Sequence, residues 1–289
     1  MTDPVVAPAW LAEHLHDPGA LDSGVRVVDA TLPLVGQPGH GRDSYDAGHI
    51  PGAVFFDINA IADPETDLPH MLPSPEAFAA AASDLGLSRA ATIVVYDAHG
   101  IYSAPRVWWT LRAMGYPSVF VLDGGLPAWR AEGRPIEATG PVPAPRPAAP
   151  RPPVETRFRP ELLADIDRVR AVLADGSAQV IDARSAARFR GEAAEPRAGL
   201  RSGHMPGALN APFDRVVGPD GRLRPAEELR AVFAEVDLSR PIVTTCGSGV
   251  TAAVLALALA RLGREDVAVY DGSWTEWGGR ADTPIVTGA

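Results

Sequence analysis

Ile242-Val-Thr-Thr-Cys246-Gly247-Ser248-Gly249-Val250-Thr251-Ala252 reads as a strand, a tight loop and the start of a helix. The β-branched run before the cysteine suits a buried parallel strand. Two glycines within three residues let the backbone curl so that several N–H groups point inward. The helical pattern over Gly249–Leu262 adds its positive end to the same loop. In open α/β sheets, ligands bind beyond the carboxyl ends of strands, which is where this loop falls. Cys246 is the only cysteine of the chain. A lone cysteine is often inert filling. One placed between a strand end and a helix start is expected to ionise readily and to act as a nucleophile.

Working outward, the same layout recurs. Ile93-Val-Val-Tyr-Asp97 falls opposite Ile242–Cys246, so Asp97 occupies the position equivalent to the cysteine. Val27-Val-Asp-Ala30 matches Val180-Ile-Asp-Ala183, and Gly48-His-Ile-Pro-Gly-Ala53 matches Gly203-His-Met-Pro-Gly-Ala208. Val119-Phe-Val-Leu-Asp-Gly-Gly125 matches Val267-Ala-Val-Tyr-Asp-Gly-Ser273. Four segments repeated in one order indicate duplication. Helical patterns over Pro75–Leu85, Ala104–Met114, Pro225–Val236 and Gly249–Leu262 alternate with the strands. The predicted fold class is therefore α/β, two tandem domains, each a parallel sheet flanked by helices on both faces. A proline-rich stretch, Pro141-Val-Pro-Ala-Pro-Arg-Pro through Pro153, cannot hold a helix or central strand. It predicts an N-terminal domain over 1–140, a linker over 141–153 and a C-terminal domain over 154–289.

Composition narrows the function. Among 289 residues, 26 Lys and Arg stand against 36 Asp and Glu, a formal charge of −10. That balance disfavours nucleic acid and anionic lipid as partners and leaves any anionic substrate to a local arginine cluster. The longest apolar run, Val250–Leu262, falls short of the roughly 20 residues a bilayer requires, and the acidic start lacks a signal-peptide layout. One cysteine excludes an internal disulfide framework and a cysteine metal cluster and predicts a reducing cytosol. No P-loop, dinucleotide fingerprint or metal-ligand spacing occurs, so neither metal nor cofactor is expected. Cysteine phosphatases place an arginine six residues after the nucleophile. Here that residue is Ala252 and the loop holds no cation, so a phosphate dianion would lack its clamp. His49 and His204 recur at equivalent places and read as structural, while Trp108, Trp109, Trp129, Trp274 and Trp277 read as core and interdomain filling. Asp182 and Arg184 are expected to form a buried ion pair that holds the strand end beside the cysteine loop.

The chain resembles the rhodanese superfamily in its tandem form, the thiosulfate/3-mercaptopyruvate sulfurtransferases. The resemblance rests on Asp46–Ala53, Arg106–Trp109, Leu122–Trp129, Ile181–Gly191, Ser202–Ala208, Cys246–Ala252 and Asp271–Trp277. It implies that only the C-terminal half carries a nucleophile, Cys246, loaded with sulfur as a persulfide. Thiosulfate enzymes of this family carry a C-R-K-G-V-T loop and mercaptopyruvate enzymes C-G-S-G-V-T, as Cys246–Thr251 reads, with Gly247, Gly249, Val250 and Thr251 shaping the binding loop. It further implies that Arg188 and Arg197 bind the carboxylate and carbonyl of the donor. Ser248 and His70 would relay a proton; the acid expected to orient the histidine is replaced by Asn59. The expected partners are a small-molecule sulfur donor and a thiol acceptor, such as a thioredoxin-like protein, with cyanide serving in assays. The competing readings are a thiosulfate:cyanide sulfurtransferase and a non-catalytic module that binds persulfides or anions.

Overall fold

The computed structural model describes residues 3–15, 24–139 and 154–288. The proline-rich stretch 141–153 lies outside them. Strands β1 (Val5–Val6), β2 (Val25–Asp29), β3 (Val54–Phe55), β4 (Thr92–Tyr96) and β5 (Val119–Leu122) form one sheet. Strands β6 (Leu163–Ala164), β7 (Gln179–Asp182), β8 (Leu209–Asn210), β9 (Ile242–Thr245) and β10 (Ala268–Tyr270) form the other. The spatial orders, β1-β5-β4-β2-β3 and β6-β10-β9-β7-β8, are the same, and all pairings are parallel. The inner strands read as continuous apolar runs because they are buried on both faces.

Ten helices accompany these strands among the described residues: α1 (Pro8–His14), α2 (Gly41–Ala47), α3 (Pro75–Asp84), α4 (Ala104–Ala113), α5 (Gly125–Ala131), α6 (Ile166–Asp175), α7 (Ala186–Phe189), α8 (Ala226–Val232), α9 (Val250–Arg261) and α10 (Ser273–Trp277). None is long and apolar enough to cross a membrane. The predicted helix over Pro225–Val236 is shorter in the structure because α8 ends at Val232 and Phe233 leaves helical geometry.

Duplication extends to side-chain detail. His49 Nδ1 meets the Tyr45 carbonyl at 2.8 Å while its ring stacks on Tyr45. His204 Nδ1 meets the Phe189 carbonyl at 2.8 Å while its ring stacks on Phe189. Both histidines thus serve the turn backbone. Trp129 and Trp277 donate their indole N–H groups to the carbonyls of Pro135 and Pro284.

The halves meet through α4 and α9, the helices that follow the Asp97 and Cys246 loops. Almost every residue of α9 is buried, as is nearly every residue of α4. A helix apolar all round belongs in the middle of a structure, and one hydrophobic core runs through both helices and both sheets. Trp109 adds a cross-link by donating to the Leu162 carbonyl at 3.1 Å. Because both loops lead directly into the central helices, both lie at the boundary between halves.

Candidate active site

Cys246 follows β9 immediately, beside the end of β7, where Asp182 is in register with Thr245. Its N–H donates to Ser273 Oγ at 3.2 Å, and that hydroxyl donates to the Tyr270 carbonyl at 2.7 Å. The carbonyls of Cys246 and Gly247 accept the N–H groups of Trp274 and Thr275, each at 2.9 Å, and Thr275 Oγ1 donates to the second at 2.7 Å. In a trans peptide the N–H points opposite to the C=O. Tying both carbonyls to α10 therefore turns the N–H groups of Gly247 and Ser248 to the other side, toward the cleft. Among the described residues, no N–H from Gly247 to Thr251 has a protein acceptor.

That cleft has a volume of about 550 Å³ and takes walls from both halves. Cys246, Gly247, Ser248, Val250 and Thr251 form its floor, Arg184, Arg188 and Arg197 one side, and His70, Asn59 and Tyr102 the other. Cys246 is 2% exposed, yet it lines the cleft. Two of the predicted residues stand behind the walls. Asp182 lies beneath Arg184, and Gly249 turns the loop into α9. Gly249 has φ 78°, and a Cβ there would meet Arg106 Nη1 at 2.7 Å and the Asp271 carbonyl oxygen at 3.0 Å. Only glycine fits this corner.

The arginines are ordered by a chain of charges. Arg184 contacts Asp182 at 2.6 Å and Glu195 at 2.8 Å, and its guanidinium stacks 4.0 Å from the Trp274 ring centroid. The expected Asp182–Arg184 pair is thus present, with Glu195 as a third member. Glu195, 1% exposed in its side chain, also holds Arg188 at 2.5 Å. Arg188 reaches the cleft with one carboxylate already on it. Arg197 makes no ion pair among the described residues.

His70 Nδ1 lies 3.2 Å from Ser248 Oγ, a contact between halves. His70 has φ 66°, a left-handed conformation that costs a non-glycine residue about 1–2 kcal/mol. Burial, then the nearby charges of Arg106 and Arg197, lower its imidazole to about 4, so it is neutral at pH 7. Asn59 is exposed and lines the cleft, while Asp57 caps its own turn by accepting the N–H groups of Asn59 and Ala60. Neither residue orients the imidazole. The backbone of this segment is instead held by two residues whose place here sequence reasoning missed. Arg106 donates to the His70 carbonyl, and Asp271 accepts the Leu72 N–H at 2.6 Å. Repeat equivalence offered a signal, since Asp271 matches Asp123 within the recurring Asp-Gly pair.

A sheet pair with one cysteine loop at the inner boundary is the rhodanese architecture, and the rhodanese-like domain model matches residues 7–132 and 165–280. The chain belongs to the rhodanese family, with two such domains in tandem. It is 44% identical to the 3-mercaptopyruvate sulfurtransferase of Escherichia coli K12 over 97% of this chain and 96% of that protein. It is also 44% identical to thiosulfate/3-mercaptopyruvate sulfurtransferase 1, mitochondrial, of Arabidopsis thaliana, over 98% of this chain and 78% of that one. The crystal structure of SseA from Escherichia coli superposes with a TM-score of 0.80 at 42% identity, covering 94% of this chain and 99% of that one.

Proposed function

We propose that this chain is a 3-mercaptopyruvate sulfurtransferase that carries sulfur on Cys246 as a persulfide. The observation that carries the reading is the charge layout of the cleft. The cysteine loop has no cation, Arg188 is matched by Glu195, and among the described residues Arg197, unlike the other two cleft arginines, has no carboxylate partner. A donor with a single remote carboxylate suits this arrangement, whereas the thiosulfate dianion finds no cation in the loop beside the sulfur.

In the first half-reaction the donor carboxylate and carbonyl lie on Arg197 and Arg188, with its thiol at Cys246. The Cys246 thiolate attacks the donor sulfur and the S–C bond breaks. The electron pair stays on carbon as the enolate of pyruvate. The donor's thiol proton ends on that carbon through Ser248 and neutral His70, so a persulfide anion and pyruvate result. The unpaired N–H groups of Gly247 to Thr251 and the start of α9 stabilise the persulfide anion. In the second half-reaction an acceptor thiolate takes the outer sulfur and regenerates Cys246. A thioredoxin-like dithiol fits this role, and a reducing compartment such as the cytosol keeps Cys246 available.

The test compares kcat/KM for 3-mercaptopyruvate and thiosulfate and weighs the protein after donor treatment. The expected outcome is a clear preference for mercaptopyruvate and one added sulfur, absent in Cys246→Ser. A preference for thiosulfate overturns the donor assignment, and donor-treated protein without added sulfur overturns catalysis altogether.

A further inference from the structure

We infer that Arg106 is a positioning residue of the sulfur-transfer site, delivered from the half that has no nucleophile to hold His70 and the Cys246 loop in register. The inference rests on the proposed Ser248–His70 relay.

Arg106 is the third residue of α4 and is 2% exposed. Its Nη2 donates to the His70 carbonyl. Its Nη1 lies 2.5 Å from Asp271 Oδ1 and 3.5 Å from the Gly249 carbonyl, and the guanidinium sits 4.6 Å from the Trp109 ring centroid. The other Asp271 oxygen takes the Leu72 N–H. The His70–Leu72 segment is therefore gripped at one carbonyl and one N–H, and the two grips are joined to each other by an ion pair. The same guanidinium touches the corner where the cysteine loop enters α9. One rigid fork thus fixes both partners of the 3.2 Å His70–Ser248 contact.

The other half supplies the control. There Asp123 accepts the Leu223 N–H at 2.8 Å, the counterpart of Asp271 and Leu72. The residue that stands for His70 is Gly221, with φ 75°. The third residue of α9, counterpart of Arg106, is Ala252. Among the described residues no guanidinium donates to the Gly221 carbonyl. The arginine is present only where an imidazole must be kept in a left-handed backbone conformation. A purely interfacial clasp needs the aspartate and the N–H, which both halves have. It does not need the donor to a histidine carbonyl.

A double-mutant cycle tests this with Arg106→Lys and His70→Asn, because asparagine tolerates the left-handed region. Arg106→Lys keeps the charge on Asp271 but loses the second arm of the fork. The expected result is a kcat lower by about tenfold with the donor KM little changed, shrinking to less than about twofold in the His70→Asn background. Equal losses in both backgrounds, or no loss at all, overturn the inference while leaving the relay standing. An unchanged kcat in His70→Asn alone overturns the relay, and the inference with it. If Arg106→Lys does not yield folded protein, Asp271→Asn loosens the same guanidinium and enters the same cycle with the same deciding outcomes.

Discussion

The ends of β4 and β9 are two solutions to one problem. Each strand runs into a loop whose N–H groups converge before a central helix, and each loop requires an acceptor. At β4 the acceptor is internal. Asp97 Oδ2 takes the N–H groups of Tyr102, Ser103 and Ala104 at 2.8–2.9 Å, and Oδ1 takes that of His99 at 2.9 Å. Burial holds the Asp97 carboxyl above its ordinary range, against the opposing pull of the Ala104, Tyr102 and His99 N–H groups. The space above is closed, since a Cβ on Gly100 would meet the Gly221 backbone at 2.9 Å. At β9 the side chain is a thiol, the N–H groups lack protein acceptors among the described residues, and His70 replaces Gly221 at the rim of an open cleft. The same duplicated frame therefore turns its loop N–H groups onto an internal carboxylate in one half and toward a cleft in the other. Converging N–H groups beside the thiol suit the persulfide anion proposed for Cys246.

The largest effect expected from breaking this contrast is at Cys246. Cys246→Ser should lower turnover by about 10⁴-fold or more, measured as pyruvate release, because no other group in the cleft can carry sulfur. Adding Asp97→Cys to that variant should restore nothing, since the Gly100–Gly221 contact leaves the first loop without a cleft. Sulfur found on residue 97 by mass spectrometry would refute the closed reading of that half.

Next in size is the internal acceptor itself. Asp97→Ala strands four N–H donors, three of them buried, and should cost about 3–5 kcal/mol in urea unfolding. Asp182→Ala breaks the other half's buried chain at Arg184 and should cost a similar amount. A loss below about 1 kcal/mol at Asp97 would mean that the cradle does not depend on its carboxylate.

Much of this was legible in the sequence, and what was not has a physical reason. The four repeated segments gave the fold, because strand and turn chemistry leaves local marks. Cys246, the loop, Asp182–Arg184 and His70–Ser248 were also readable, from local pattern and from the family's motifs. Arg106 and Asp271 were not assigned their places, nor was Glu195 as the link between two arginines, because each acts across a distance that spacing does not encode. Glu195 joins two arginines, and Arg106 meets Asp271 from the opposite half. Where the resemblance expects an acid to orient His70, the described residues instead hold the segment through the His70 carbonyl and the Leu72 N–H.

The arginines sharpen the contrast at a middle scale. Asp29 and Asp182 each accept the N–H two residues on, at 2.9 Å, but that residue is Thr31 in one half and Arg184 in the other. Among the described residues, the ion-pair chain to Arg188 lies beside the thiol and has no counterpart in the other half. Arg197→Met should raise the mercaptopyruvate KM by about tenfold with thermal stability unchanged, because it leaves no buried charge behind. Arg188→Met should raise KM similarly but also lower stability by about 1–3 kcal/mol, because Glu195 then keeps only Arg184. Equal stability in both variants would show that Glu195 does not rely on Arg188.

The smallest effect separates His70 from Gly221, its counterpart with nothing to titrate. In the folded chain the imidazole titrates at about 4, below its ordinary 6.5, so the unfolded chain takes up this proton first as pH falls. The stability contributed by keeping His70 neutral is complete above about pH 6.5. It is lost progressively as pH falls from there through about 4. Urea unfolding of the wild type and of His70→Asn at pH 7 and 4.5 isolates this group, because acid effects common to both cancel in the difference. The wild type should lose more stability than the variant over that interval. If both lose the same amount, His70 titrates normally, and neither burial nor the two arginines hold it neutral as the proton relay requires.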